Sequence, residues 1–102
     1  MKQFDVFANP SPRTKARAPF IMVLPDNRFA DHAVTVVVPL VRKLPSPVPR
    51  LNLEFVLNGE TLFLSPLELA NIQRSELRQP VDNLSGERDA IVRALDLLFT
   101  GI

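Results

Sequence analysis

The sequence predicts a mainly β fold with one C-terminal α-helix. Three observations carry this expectation. Ten prolines are spread along the chain, a usage that suits short strands and loops. Two continuous apolar runs rich in branched residues, FIMVL and VTVVV, have the composition of central strands buried on both faces. From Ser85 onward, apolar residues recur at helical spacing. A single domain over residues 1–102 is expected, because a chain of this length with 46% hydrophobic residues can bury one core and is too short for two.

Taken in order, KQFDVFA alternates, with Phe4, Val6 and Ala8 on one side, and reads as a half-buried strand. FIMVL and VTVVV follow as core strands. The proline clusters NPSPR (Asn9 to Arg13) and LPSPVPR (Leu44 to Arg50) are too short to separate domains and read as stiff connections. In LNLEFVLNGETLFL, Leu51, Leu53, Phe55 and Leu57 alternate with Asn52, Glu54, Val56 and Asn58, and Asn58-Gly59 supplies the positive φ angles of a tight primed turn, so a β-hairpin is predicted. SPLELA predicts a helical turn with Pro66 directly after Ser65, and RSELR one more short strand.

Ser85 is the expected N-cap of the helix, worth about 1 kcal/mol if it bonds an orphan amide, with Glu87 and Asp89 at the positive end of the dipole. The capping box is incomplete, since Arg88 occupies its acidic position. Ile91, Ala94, Leu95 and Leu98 fall at i, i+3, i+4 and i+7 and form the core-facing stripe.

Twelve Lys and Arg against eleven Asp and Glu give a formal charge of +1, which sets up no strong field over the whole surface to attract phosphate backbones. The absence of cysteine excludes disulfides and thiolate metal sites and agrees with a reducing cytosol. The first residues lack the uninterrupted apolar stretch of a signal peptide. The longest apolar runs are far shorter than the ~20 residues of a spanning helix, so a soluble, cytoplasmic protein without a membrane partner is expected.

Catalytic chemistry finds few candidates. The one histidine, His32, is a poor general base without a partner. Arg13, Lys15 and Arg17 could contact phosphate, but a solvated loop explains them more simply. Asp26 and Asp31 lack regular ligand spacing, and no Gly-rich phosphate loop or nucleophile elbow is present. No catalytic residue, metal or cofactor is therefore expected.

The chain's end offers a different kind of site. At about 100° per residue, Val92, Asp96 and Phe99 lie on a flank away from the core stripe, with Thr100 beside them. One reading is a cap, in which Phe99 folds back over the sheet edge, Gly101 turns left-handed and Ile102 packs as its apolar follower. The other is a binding surface built from an exposed aromatic, a small residue, a glycine and an apolar terminus.

The stretch LSGERDAIVRALDLLFTGI resembles the C-terminal signature of the CcdB toxin family. KQFDVFAN is similar to that family's opening strand, FIMVLPDNRFAD to its second strand and following loop, and VVVPL to its valine/isoleucine-proline-leucine strand. The loop from Pro25 to Ala33 carries an insertion. The resemblance implies a small antiparallel barrel of the Src-homology-3-like CcdB/MazF type, forming a homodimer. It also implies a toxin of a toxin–antitoxin pair that performs no chemistry itself, binds the A subunit of DNA gyrase and traps the cleaved DNA complex. Carried over by position, the gyrase-binding residues are Asp96, Phe99, Thr100, Gly101 and Ile102, with support from Asn27 and Arg28. Thr100 stands where the family commonly has tryptophan, Asp96 where it commonly has asparagine, and Asn27 and Arg28 where apolar residues are common. A cognate CcdA-like antitoxin is implied as a second partner, ordering on the toxin across the Arg50 to Arg78 surface or at the tail. Operator DNA would be engaged only through the antitoxin complex, in repression of the operon. The alternatives are a MazF-like endoribonuclease, which would depend on Arg13, Arg17 or His32, and a non-toxic interaction domain.

Overall fold

The computed structural model describes residues 1–101. Its elements are β1 (Asp5–Ala8), β2 (Phe20–Val23), β3 (Val34–Val41), β4 (Glu54–Leu57), β5 (Glu60–Leu64), β6 (Ala70–Gln73), β7 (Asp82–Asn83) and the helix α1 (Arg88–Thr100), with short 3-10 turns at Asn27–Phe29, Pro66–Glu68, Arg74–Glu76 and Ser85–Glu87. The strands follow the order β4-β5-β3-β2-β1-β7, every pairing is antiparallel, and β6 joins the free half of β3. The result is a nearly closed barrel with one C-terminal helix, as the sequence predicts.

The two apolar runs are buried on both sides over most of their length, although the second begins on an exposed Val34. Met22, Val38 and Leu40 point into the main core with Val6, Leu62, Leu64 and Ile91, while Ile21, Val23 and Val37 join Phe7 in a second cluster on the opposite face. β1 departs from its expected half-burial. Phe7 is 3% exposed and Ala8 is the exposed residue, because the second cluster needs an apolar residue from β1 as well. Phe4 precedes the strand with φ 67°, uncommon for an aromatic residue. It is held there by hydrogen bonds from its N–H to Val23 O (2.8 Å) and from Leu84 N–H to its own carbonyl (3.0 Å).

β3 shows how a proline fits a central strand. The pairs Phe20–Leu40 and Met22–Val38 turn the backbone of Pro39 away from β2. On that outer edge β6 stops at Val37 and β5 starts at Leu40. Pro39 therefore occupies the gap between two partners, where its missing N–H leaves no ladder bond unmade, and its carbonyl accepts Ser65 N–H at 3.0 Å. The hairpin β4–β5 forms as expected, with Asn58 at φ 53° and Gly59 at φ 76°, the pair of positive angles of a type I′ turn. The helical turn after Ser65 is also present, at Pro66–Glu68.

Two expectations are corrected. RSELR is not a strand: Arg74 N–H makes the last ladder bond to Ala33 O (2.8 Å), then Leu77 N–H bonds Arg74 O (3.0 Å) and the chain curls into a 3-10 turn. The strand is the preceding ANIQ, β6. Ser85 does not cap α1 either. It opens the 3-10 turn Ser85–Glu87, α1 starts at Arg88 without a side-chain cap, and the side chain that catches an amide is that of Asn83, whose Oδ1 accepts Ser85 N–H at 2.8 Å.

Candidate interaction surface

The helix sorts its side chains by period. Ile91 and Ala94 are fully buried and Leu95 and Leu98 half-buried, while Val92 is 37% and Phe99 68% exposed. Asp96 and Thr100 are exposed beside them. Thr100 Oγ1 donates to Asp96 O at 2.7 Å, folding the hydroxyl back onto the carbonyl one turn earlier in the helix. Gly101 follows at φ 76°, in the left-handed region, and its N–H bonds Leu97 O at 3.0 Å. Both readings of the tail therefore hold in part. Gly101 is the left-handed cap, yet Phe99 does not fold back over the barrel and presents its ring to solvent. Ile102, the last residue of the expected surface, lies outside the described residues.

Asn27 and Arg28 sit elsewhere. They belong to the 3-10 turn Asn27–Phe29, capped by Asp26, whose Oδ1 accepts Arg28 N–H (2.9 Å) and Arg28 Nε (3.2 Å). These contacts, the backbone N–H first, hold the Asp26 carboxyl below its ordinary pKa. Asn27 Oδ1 accepts the backbone N–H of Gln3 at 2.7 Å. Asn27, alone of the turn, lines a concavity with Lys2, Gln3, Asn83, Ser85 and Arg88, at the start of α1. Twelve helical steps separate Arg88 from Thr100, roughly 18 Å at 1.5 Å each. Within one chain the two parts of the expected surface are thus about a helix length apart.

The enzyme candidates are dispersed. His32 lies edge-on to Phe29, ring centroids 5.7 Å apart, and no side-chain acid bonds it among the described residues. Arg17 is engaged by Glu68, and Arg13 and Lys15 are exposed on the loop between β1 and β2. Among the described residues no group of three or more His, Cys, Asp and Glu stands close enough to hold a metal ion.

A cleft of about 360 Å³ escaped sequence reading. Ile21, Val37 and Pro39 are among its apolar lining residues, and Arg17, Glu68 and Glu76 are its charged ones. It is assembled from four separate segments, so no local pattern announces it.

Among the described residues no helix is long and apolar enough to cross a membrane. No curated protein matches the chain. A family model described as CcdB protein matches residues 3–101, nearly the whole length. With the barrel, the terminal helix and this match together, the chain belongs to the CcdB family, the toxins of toxin–antitoxin pairs.

Proposed function

We propose that this protein is a cytoplasmic, homodimeric toxin that binds the A subunit of DNA gyrase and traps the cleaved DNA complex. The observation that supports this best is Phe99, a large aromatic ring 68% exposed at the end of a helix whose other face is sealed in the core. Asp96, Thr100, Gly101 and Ile102 complete the contact, and a two-fold dimer offering it twice suits a two-fold target. Asn27 and Arg28 make a second, more polar contact at the other end of the helix. The toxin acts by binding and not by catalysis.

The antitoxin is a CcdA-like protein whose disordered segment orders across the Arg50 to Arg78 surface. Val56 and Leu67, 70% and 74% exposed, are apolar anchors available there. The toxin–antitoxin complex represses its own operon, reaching operator DNA through the antitoxin.

The deciding experiment is gyrase-dependent DNA cleavage with the full chain and with a variant ending at Phe99, after thermal unfolding has shown that the variant folds. Trapping by the full chain and its loss in the folded variant support the reading. Failure of the full chain to trap DNA with any bacterial gyrase overturns it.

A further inference from the structure

The formal charge of +1 conceals a strong asymmetry. The loops at residues 9–18 and 42–50 hold six of the twelve cations and none of the eleven acids. The fold joins these loops: Arg42 N–H donates to Arg17 O at 2.9 Å, and Arg42 Nη1 donates to Ala16 O. Two of the cations have counterions, Arg17 with Glu68 (2.7 Å) and Arg42 with Glu60 (2.6 Å), and a third, Arg50, lines a concavity with Arg93 and Leu97 of α1. Arg13, Lys15 and Lys43 are exposed and make no side-chain hydrogen bond or ion pair among the described residues.

The backbone of the first loop is itself held by hydrogen bonds. Asn9 Oδ1 accepts Ser11 N–H (2.9 Å), Asn9 Nδ2 donates to Thr14 Oγ1 (3.0 Å) and Ala18 O (2.8 Å), and Lys15 and Ala18 amides bond Ser11 O and Thr14 O. Pro10 and Pro12 stiffen its start, and Pro45, Pro47 and Pro49 stiffen the second loop. Cations on pre-ordered loops lose less entropy on meeting a polyanion than cations on mobile ones.

We propose that Arg13, Lys15 and Lys43 form a contact surface for the phosphate backbone of duplex DNA. Neither loop contains an aromatic residue on which unpaired bases could stack, and neither carries a helix or strand ribbon that could enter a groove. What remains is backbone contact, which positions a protein on duplex without reading sequence. The surface does not depend on the gyrase reading, and its test contains no gyrase.

The test is fluorescence anisotropy of a labelled 20-base-pair duplex titrated with the full-length protein between 50 and 200 mM salt. Three phosphate contacts give a slope of about −2.7 in log affinity against log salt, an affinity loss of roughly 40-fold across that range. Arg13→Gln/Lys15→Gln/Lys43→Gln removes that slope, and Lys43→Gln alone reduces it by about 0.9. Arg74→Gln/Arg78→Gln/Arg93→Gln leaves it unchanged. Equal loss in this last variant overturns the proposal, as does a slope shallower than about −1 in the parent protein. Tighter binding to a single strand of the same length, or full competition by polyglutamate, overturns the choice of duplex DNA.

Discussion

Asn83 donates from Nδ2 to Asp5 Oδ1 at 2.8 Å, across the short seam where β7 meets β1. Asp5 is 6% exposed. Its other oxygen accepts the Lys2 amide at 2.8 Å, and Asn83 uses its remaining groups on Gln3 O (3.1 Å) and Ser85 N–H (2.8 Å). One amide side chain thereby closes the barrel, solvates a buried carboxylate and starts the turn into α1. Asn83→Ala is expected to cost about 1–3 kcal/mol in urea unfolding at neutral pH, because it strips a buried charge of a donor. Asn83→Asp replaces the donor with a second carboxylate facing Asp5 and is expected to cost more than Asn83→Ala in the same measurement.

The helix separates stability from surface. Ile91→Ala empties a fully buried position in the main core and is expected to cost about 2–5 kcal/mol. Phe99→Ala removes an exposed ring and is expected to change stability by less than about 0.5 kcal/mol while lowering gyrase trapping at least tenfold. Thermal unfolding and the cleavage assay on the same two preparations give both readouts.

At Gly101 the constraint is the backbone angle alone, since a Cβ built there meets nothing within 4 Å. Gly101→Ala is expected to cost about 1 kcal/mol through the left-handed angle. Gly101→Asn, better tolerated in that region, costs less than half as much. Circular dichroism melts of the three proteins should rank them accordingly.

The Arg17–Glu68 pair is two-pronged, 2.7 and 3.0 Å, and Ser65 Oγ adds a third bond to Glu68 at 2.6 Å. The side-chain hydrogen bond from Arg17 is the main reason that the Glu68 carboxyl titrates below its ordinary value. Because the folded-state pKa is lowered, the contribution is present above the unfolded pKa and is lost as the pH falls through the folded one. Both side chains are more than a third exposed, which limits the pair to about 1 kcal/mol or less. Glu68→Gln is accordingly expected to be slightly less stable than the parent at pH 7, with the difference shrinking as the pH falls below the ordinary carboxylate range.

Much of the fold was legible where local pattern and burial agree. The Asn58-Gly59 hairpin, the two apolar core strands and the Ile91 stripe each carry their own signal. β6 did not, because ANIQ is largely exposed and pairs β3 along one edge only; its strand conformation comes from its partner, not from its composition. The helix start was misplaced because Ser85 has the right side chain for a cap while Asn83, two residues earlier, has the buried partners that decide the turn. At the candidate surface, exposure of Val92, Asp96 and Phe99 followed from helical period. The distance of Asn27 and Arg28 from that tail did not, since it depends on the direction in which α1 crosses the barrel.

The seam between β1 and β7 is short, two residue pairs, and with 78 residues between Asp5 and Asn83 it closes the longest loop in the sheet. Closure entropy delays such a contact until the rest of the barrel exists. The same seam is therefore the natural first place for the folded protein to breathe. Because β7 runs directly into α1, each opening loosens the hold on the helix that displays Phe99, and the mobility of the exposed ring is set at the opposite end of its own helix.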